Sequence, residues 1–263
     1  MSEPAWIWGL PLTPITRSET ADAAIRLVEG GGPSFFITAN LHYAMLAYAD
    51  PQLRAINARA NFLVADGAPL VWASRWKRTP LPERVAGSDL IYDVCERAAA
   101  RQYRLFFLGG AEGVAEAVAQ RLSQLYPGFE IVGTLSPPHR ELTEEEEERL
   151  LDEIRAARPH ILLMAYSMPR GEIWVARNYE RLGVPLCMQV GATFDFVAGR
   201  VRRAPLRWQK LGLEWAYRLW LEPTRLFPRY ARNAWFLFRM VGRDLTFGLA
   251  GRAPIPLRDQ PHP

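Results

Sequence analysis

Six short runs rich in apolar and β-branched residues, at 35–38, 62–65, 105–108, 130–133, 161–166 and 186–190, alternate with segments of helical periodicity. This alternation constrains the chain more than any other feature. When a helix follows each strand, it carries the chain back to the edge from which the strand began, so successive strands run in the same direction. The pattern therefore predicts an α/β fold, Rossmann-like, with a mostly parallel, doubly wound sheet. Three helices are read most directly. Residues 114–125 are amphipathic and stop at Pro127-Gly128, 88–100 are likewise amphipathic, and 143–157 open with a capping box in which Thr143 caps and Glu146 answers it. The acidic run 144–148 then lies at a helix N-terminus, where carboxylates favour the macrodipole, and is read as a solvated structural feature. The stretch 30–49 carries no charge, but its glycines, Pro33, Asn40 and His42 fit loop, strand and helix better than a membrane span.

The chain has 263 residues, 49% hydrophobic and 23% charged, enough to bury a core without disulfide or metal staples, and it is neither disordered nor fibrous in composition. Cys95 and Cys187 are far apart and belong to no Cys-x-x-Cys or Cys/His cluster, which fits a reducing compartment. Residues 1–9 show no basic n-region followed by an apolar h-region, so a cytoplasmic location is expected.

Charge is uneven. Residues 200–243 hold eleven Lys or Arg against Glu214 and Glu222, an excess of nine, so with a net charge of +4 the remainder sits near −5. Such asymmetry points to an anionic partner. At 100° per residue Arg225, Arg229, Arg232, Arg239 and Arg243 fall on one side of a helix, and Phe227, Tyr230, Ala234, Leu237, Phe238 and Val241 on the other. A basic, aromatic amphipathic helix of this kind suits a lipid interface, although ordinary helices packed on a core show the same periodicity. A preceding helix places Arg207, Lys210, Glu214 and Arg218 in one stripe with Trp208, Leu211, Trp215 and Leu219 elsewhere, and Pro223 and Pro228 are expected to break the two apart. No helix-turn-helix, zinc or RNA-binding signature accompanies the charge, so no nucleic-acid partner is expected. The chain thus divides into an α/β core at 1–199, a basic helical appendage at 200–245 and a tail at 246–263 expected to be disordered.

In a doubly wound sheet ligands bind beyond the carboxyl ends of the strands, so polar residues just after each apolar run are the candidates. Thr38 and Asn40 offer a hydroxyl and an amide to a sugar or a base, or cap the next helix. Asp66, with Gly67 behind it, is the best-placed base in the chain, or an N-cap. Gly109 and Gly110, between a strand and a helix, place backbone amides where a phosphate could sit, or form a tight turn. Gly191 and Asp195 follow the last strand, where the acid could bond sugar hydroxyls or brace the loop. The glycine turn lacks the full Gly-x-Gly-x-x-Gly pattern and there is no Walker A sequence, which disfavours nicotinamide dehydrogenases and P-loop enzymes. There is no Asp-x-Asp pair and no Gly-x-Ser-x-Gly elbow, and His42, His139, His160 and His262 lack metal-ligand spacing, so no metal and no cofactor is expected.

The ordered motifs resemble one family. Thr38-Ala39-Asn40, Ala65-Asp66-Gly67, Glu83-Arg84-Val85-Ala86-Gly87-Ser88-Asp89-Leu90, Leu108-Gly109-Gly110, Phe194-Asp195-Phe196-Val197-Ala198-Gly199, Arg203-Ala204-Pro205 and Gly212-Leu213-Glu214-Trp215, with Tyr217-Arg218-Leu219 and Glu222-Pro223, are similar to those of the WecG/TagA/CpsF glycosyltransferases, glycosyltransferase family 26. The resemblance spans about residues 8–245. It implies a Rossmann-like fold of the GT-E type and metal-independent, inverting transfer of a sugar from a UDP-sugar to a polyprenyl-diphosphate-linked glycan in the synthesis of a cell-surface polymer or exopolysaccharide. The site would be peripheral to the inner face of the cytoplasmic membrane, and some members self-associate. By motif, Asp66 resembles the family's general base, Thr38, Asn40 and Arg84 resemble residues lining its site, and Arg218 and Arg225 resemble arginines that complete it over the diphosphate. Asp89 lies in the same motif as Arg84. Many members carry Gly-x-Pro-Lys/Arg-Gln-Glu after the fifth strand, where this chain reads Ser167-Met168-Pro169-Arg170-Gly171-Glu172. Gly171 replaces the glutamine, Arg170 and Glu172 remain as polar contacts, and UDP-glucose becomes an alternative to a UDP-N-acetylmannosamine donor. The alternative function is a non-catalytic nucleotide- or glycolipid-binding module.

Overall fold

The computed structural model describes residues 3–210 and 212–249. Two short strands, β1 (Ala5–Ile7) and β2 (Leu10–Leu12), form an antiparallel hairpin. The hairpin is absent from the pattern read above. Its turn residues Trp8 and Gly9 both have positive φ, as a two-residue turn of that hand requires. The remaining elements are α1 (Arg17–Gly30), β3 (Phe35–Ala39), α2 (Leu41–Ala49), α3 (Pro51–Arg59), β4 (Leu63–Ala65), α4 (Ala68–Ser74), α5 (Gly87–Ala99), β5 (Arg104–Gly109), α6 (Val114–Leu125), β6 (Glu130–Leu135), α7 (Glu144–Ala157), β7 (Ile161–Ala165), α8 (Arg170–Leu182), β8 (Leu186–Gln189), α9 (Thr193–Val197), α10 (Leu206–Lys210), α11 (Glu214–Leu221) and α12 (Pro223–Leu249).

All six expected strands are present and form one parallel sheet in the order β4-β3-β8-β7-β5-β6. Alternation along each strand builds two cores. Phe35, Ile37, Leu63, Phe106, Leu108, Leu162 and Met164 face one layer, made by α2, α3, α4, α7, α8 and the hairpin. Phe36, Val64, Leu105, Phe107, Leu163 and Met188 face the other, made by α1, α5, α6 and α9. Helices on both faces explain why the strands read as continuous apolar runs. The Thr143–Glu146 capping box forms as expected.

The chain leaves edge strand β4, passes through α4 on one face, and returns around the carboxyl end of the sheet to α5 on the other. On the way Val85 N–H donates to Ala65 O at 2.8 Å and Asp66 N–H to Ala39 O at 2.8 Å. The first bond laces residues 84–87 to the end of β4, and the second ties the candidate base itself to the end of β3.

The C-terminal helices differ from the expected pair. The first is divided into α10 and α11 by Gly212, at φ +71. A Cβ there would stand 2.8 Å from that of Ala68, so glycine permits this turn to close on the start of α4. Pro223 begins α12, where its missing N–H costs nothing, but Pro228 lies inside the helix, in its second turn, rather than breaking it. The helix is also rotated relative to the expected basic and apolar sides. Leu226, Asn233, Phe236 and Met240 face the core. Asn233 meets His42 at 3.0 Å, Phe236 packs on Trp8 and Tyr48, and Arg243 donates to Tyr48 Oη at 2.9 Å. Arg229 and Arg243 are therefore turned inward, half-buried. Phe227, Trp235 and Phe238 are exposed, flanked by Arg225, Arg232 and Arg239. Helix α12 continues through 246–249, and the rest of the expected tail, 250–263, lies outside the described residues.

Candidate active site

The carboxyl ends of β3, β4 and β8 and the first turn of α5 converge on one point. A Cβ placed on Gly87 would lie 3.5 Å from Thr38 Oγ1, 4.0 Å from Asp66 Oδ2 and 4.0 Å from the Cα of Val190, which precedes Gly191. The absent side chain of Gly87 thus leaves room between a hydroxyl, a carboxylate and the last strand end. The motif containing Gly87 is visible in the sequence, but only the fold brings that glycine against Asp66.

Asp66 is not the cap of α4: the N-cap is Gly67, with no side-chain cap bond, so the N-cap reading of this carboxylate does not apply. Burial pushes its pKa up to about 7 against the opposing pull of the Arg84 guanidinium and the Gly87 amide, with Glu214 and Asp89 adding to the rise. A carboxylate tuned to that range suits a general base at neutral pH. Asn40 does cap α2, accepting from Tyr43 N–H at 3.1 Å through its side-chain oxygen. Its amide NH2 is not used in that cap.

Arg84 belongs to a four-residue ion network. It lies 3.2 Å from Glu214 Oε2 and 3.7 Å from Asp89 Oδ2, while Arg203 forks onto Asp89 at 2.7 and 2.9 Å and reaches Glu214 at 3.4 Å. Burial alone would raise the Asp89 pKa, but the Arg203 bonds outweigh it and hold the group below its usual range. Arg203 and Glu214 come from the C-terminal segment, so the network fastens that segment to the loop beside Asp66. Paired arginine–carboxylate bonds of this kind, partly shielded from water, are stronger than exposed pairs. Arg203→Met is expected to cost about 2 kcal/mol in urea unfolding, the range for hydrogen bonds to charged groups; an unchanged midpoint would show the network to be surface decoration.

The remaining candidates fall into three places. Gly109 and Gly110 have φ of +101 and +81, and a Cβ on Gly109 would meet Ala165 O at 3.0 Å, so both the turn and the close packing exclude side chains. This turn lies three strands along the sheet from β3, about 14 Å at ordinary strand spacing, within the length of a nucleotide sugar. Asp195 lies on α9 beside it, its carbonyl accepting from Arg200 and Val201 N–H. Arg218 stands over the Phe196 ring at 5.4 Å, which brings α11 to this same end of the sheet. Arg225, by contrast, is exposed on α12 and pairs with Glu222.

The segment after β7 is arranged differently. Arg170 donates to Arg140 O at 2.6 Å and lies over the Tyr166 ring at 5.5 Å. Glu172 is 3% exposed, its Oε2 has no partner among the described residues, and burial pushes its pKa up to about 7. Gly171 is where Gln189 comes into play: a Cβ at Gly171 would overlap Gln189 Nε2 at 1.7 Å. The Gln189 amide bridges the Tyr166 backbone, accepting from N–H at 3.2 Å and donating to O at 2.7 Å. An amide from β8 therefore fills the space that a side chain from α8 would need.

Comparison with known proteins agrees with this architecture. The chain matches the glycosyl transferase WecG/TagA/CpsF family over residues 5–248. It is 29% identical over 192 residues to an N-acetylglucosaminyldiphosphoundecaprenol N-acetyl-beta-D-mannosaminyltransferase of Bacillus spizizenii, covering 73% of each chain. A protein of the same description from Staphylococcus aureus is 29% identical over 195 residues, covering 73% of this chain and 74% of the relative. Since the match takes in the six-stranded sheet, the Asp66 cleft and the C-terminal helices fastened to it, the chain belongs to the WecG/TagA/CpsF family and is a glycosyltransferase.

Proposed function

We propose that this enzyme moves a hexose or N-acetylhexosamine from a UDP-sugar to a sugar carried on a polyprenyl diphosphate, with inversion and without a metal, in building a bacterial cell-surface polymer. The names of the Bacillus and Staphylococcus relatives support the acceptor class. The observation that carries the reading is the half-buried Asp66 carboxylate, not engaged as the cap of α4, beside Thr38 and the gap at Gly87; burial pushes its pKa up to about 7.

In this reading an acceptor hydroxyl oxygen bonds to the anomeric carbon of the donor. Its proton goes to Asp66, and the bond from that carbon to the diphosphate oxygen breaks, the electron pair leaving with UDP. Attack from the face opposite the leaving group inverts the centre. Arg84 and Arg218 meet the charge that develops on the diphosphate, the task otherwise given to a bound cation. Thr38 and the Asn40 amide orient sugar hydroxyls. The Gly109–Gly110 turn and the start of α6 offer backbone N–H groups to the donor.

The acceptor's lipid holds it at the membrane, and the outer side of α12 supports docking there. Phe227, Trp235 and Phe238 supply apolar contact, and Arg225, Arg232 and Arg239 form a row at seven-residue spacing able to meet phosphates. No helix among the described residues is long and apolar enough to cross a membrane, so the association proposed is peripheral, on the cytoplasmic face. Because Gly171 and Gln189 remodel the segment after β7, the donor sugar is either N-acetylmannosamine, as in the relatives' names, or glucose.

The test is UDP release from a panel of UDP-sugars, with a short polyprenyl-diphosphate-linked glucose or N-acetylglucosamine as acceptor and EDTA present. Acceptor-dependent release from one donor, undiminished by EDTA, is the expected result. Release abolished by EDTA would overturn metal independence, and UDP binding without release from any donor would favour a binding module.

A further inference from the structure

A second basic and aromatic element lies in the core rather than in the appendage. After α4 the chain reads Arg75-Trp76-Lys77-Arg78. Trp76 is 76% exposed, equal to Trp220 of α11 at 75%. Arg75 and Arg78 are also exposed, and Trp72, at the end of α4, is partly so. Nothing in the chemistry at Asp66 uses these side chains.

Two contacts seat this loop against the C-terminal helices. Lys77 Nζ lies 3.1 Å from Asp244 Oδ2, on α12 next to the exposed Leu245. At the other end, a Cβ on Gly212 would be 3.3 Å from the Trp72 ring, so the α10–α11 turn rests on that indole. Lys77 thereby acts as a tether, while the Arg75 and Arg78 charges are turned to solvent. The loop is closed by Leu81 N–H donating to Ser74 Oγ at 2.9 Å, so its exposed tip is held by its base.

We propose that the 75–78 loop is a second membrane contact. Trp76 enters the headgroup region of an anionic bilayer, and Arg75 and Arg78 pair with lipid phosphates. An indole flanked by cations has the amphipathic character of interfacial anchors, and the surrounding positive charge selects acidic lipid over neutral lipid. Through Lys77 and Asp244 the loop is joined to α12, the helix already proposed to meet the membrane, which argues for one lipid surface touched by two elements distant in sequence. It also joins the two chain segments that flank Asp66. One flank is α4, which begins two residues after Asp66, and the other leads to Arg84 and Gly87. Lipid contact here therefore sets the cleft against the bilayer in which the acceptor is anchored.

The proposal rests on the membrane reading of α12, and the experiment separates the two. Cys95 and Cys187 are fully buried, so an introduced surface cysteine is labelled selectively. The full chain is prepared as Trp76→Cys and, separately, Phe238→Cys, each carrying an environment-sensitive NBD label. Each is mixed with vesicles of phosphatidylglycerol and phosphatidylcholine, or of phosphatidylcholine alone. Blue-shifted emission from both positions on the acidic vesicles, and weaker shifts on the neutral ones, is expected. In co-sedimentation with the acidic vesicles, unlabelled Arg78→Gln should bind about fivefold more weakly, the loss of one juxtamembrane charge. A shift at 238 with none at 76 would overturn the loop contact and leave the helix reading standing. No shift at either position would remove both. A shift at 76 that grows with protein concentration in the absence of vesicles would instead make this surface a contact between copies of the chain.

Discussion

Asp66→Asn should yield a folded protein that still binds UDP but turns over roughly 100-fold to 10,000-fold more slowly, the span associated with loss of a general base. The amide keeps the shape of the carboxylate but cannot accept the acceptor's proton. With the carboxylate's pKa near 7, the parent enzyme's kcat/KM should fall about tenfold per unit below that value and level off above it. Stability supplies an independent check. The folded pKa is raised above the ordinary 3.8, so ionised Asp66 opposes folding. The resulting loss of stability develops as pH rises between those two values and is complete above about 7. Asparagine carries no charge. The variant should therefore be at least as stable as the parent at pH 8, with its advantage shrinking toward pH 5. UDP release and thermal unfolding across that range test both parts. Retained turnover, or a variant distinctly less stable at pH 8, would make Asp66 a structural carboxylate.

That combination also explains which parts of the site are legible in sequence. Strand ends are local, so Thr38, Asp66 and Gly109–Gly110 can be placed from the apolar runs that precede them. The environment of Asp66 is not local. Arg203 reaches Asp89 across 114 positions and Glu214 reaches Arg84 across 130, and no periodicity couples such distant residues. Glu214 reads in sequence as one member of a helical stripe, whereas in the fold it begins α11 and pairs with Arg84 beside the base.

Helix α12 shows a different limit. Its periodicity establishes an amphipathic helix, but aromatic residues occur all round it, so hydrophobicity does not fix which face packs. The inward face is selected by partners on other elements: His42 for Asn233, Tyr48 for Arg243, and Trp8 and Lys77 for Asp244. The β1–β2 hairpin is missed for a simpler cause. Three-residue strands are too short to establish a period, and the Trp8-Gly9 turn is the one strong local cue.

Gly171→Gln, which installs the glutamine the family resemblance implies for many members, should destabilise this protein rather than improve it. The first side-chain atom already falls 1.7 Å from Gln189 Nε2, in a place where Gln189 is buried and hydrogen-bonded twice to Tyr166. Accommodating it means expelling the Gln189 amide, which combines overpacking, typically about 1–3 kcal/mol, with the loss of two bonds of about 1 kcal/mol each. A net loss near 3 kcal/mol lowers the melting temperature of a domain this size by roughly 6–12 °C. Gln189→Ala alone should also destabilise, since it orphans the Tyr166 N–H. Together the two changes should cost clearly less than their sum, because alanine vacates the space the new glutamine needs and the incoming amide can reach the same backbone; the expected coupling is at least about 1 kcal/mol. Additive losses would mean that the two positions do not exchange one amide. Tyr166 also bears on the cleft, since its ring would meet a Cβ on Gly109 at 3.1 Å and its carbonyl one on Gly191 at 3.9 Å. The double variant should consequently keep its fold while changing KM among UDP-sugars more than kcat, which would tie the exchange to donor recognition rather than to packing alone.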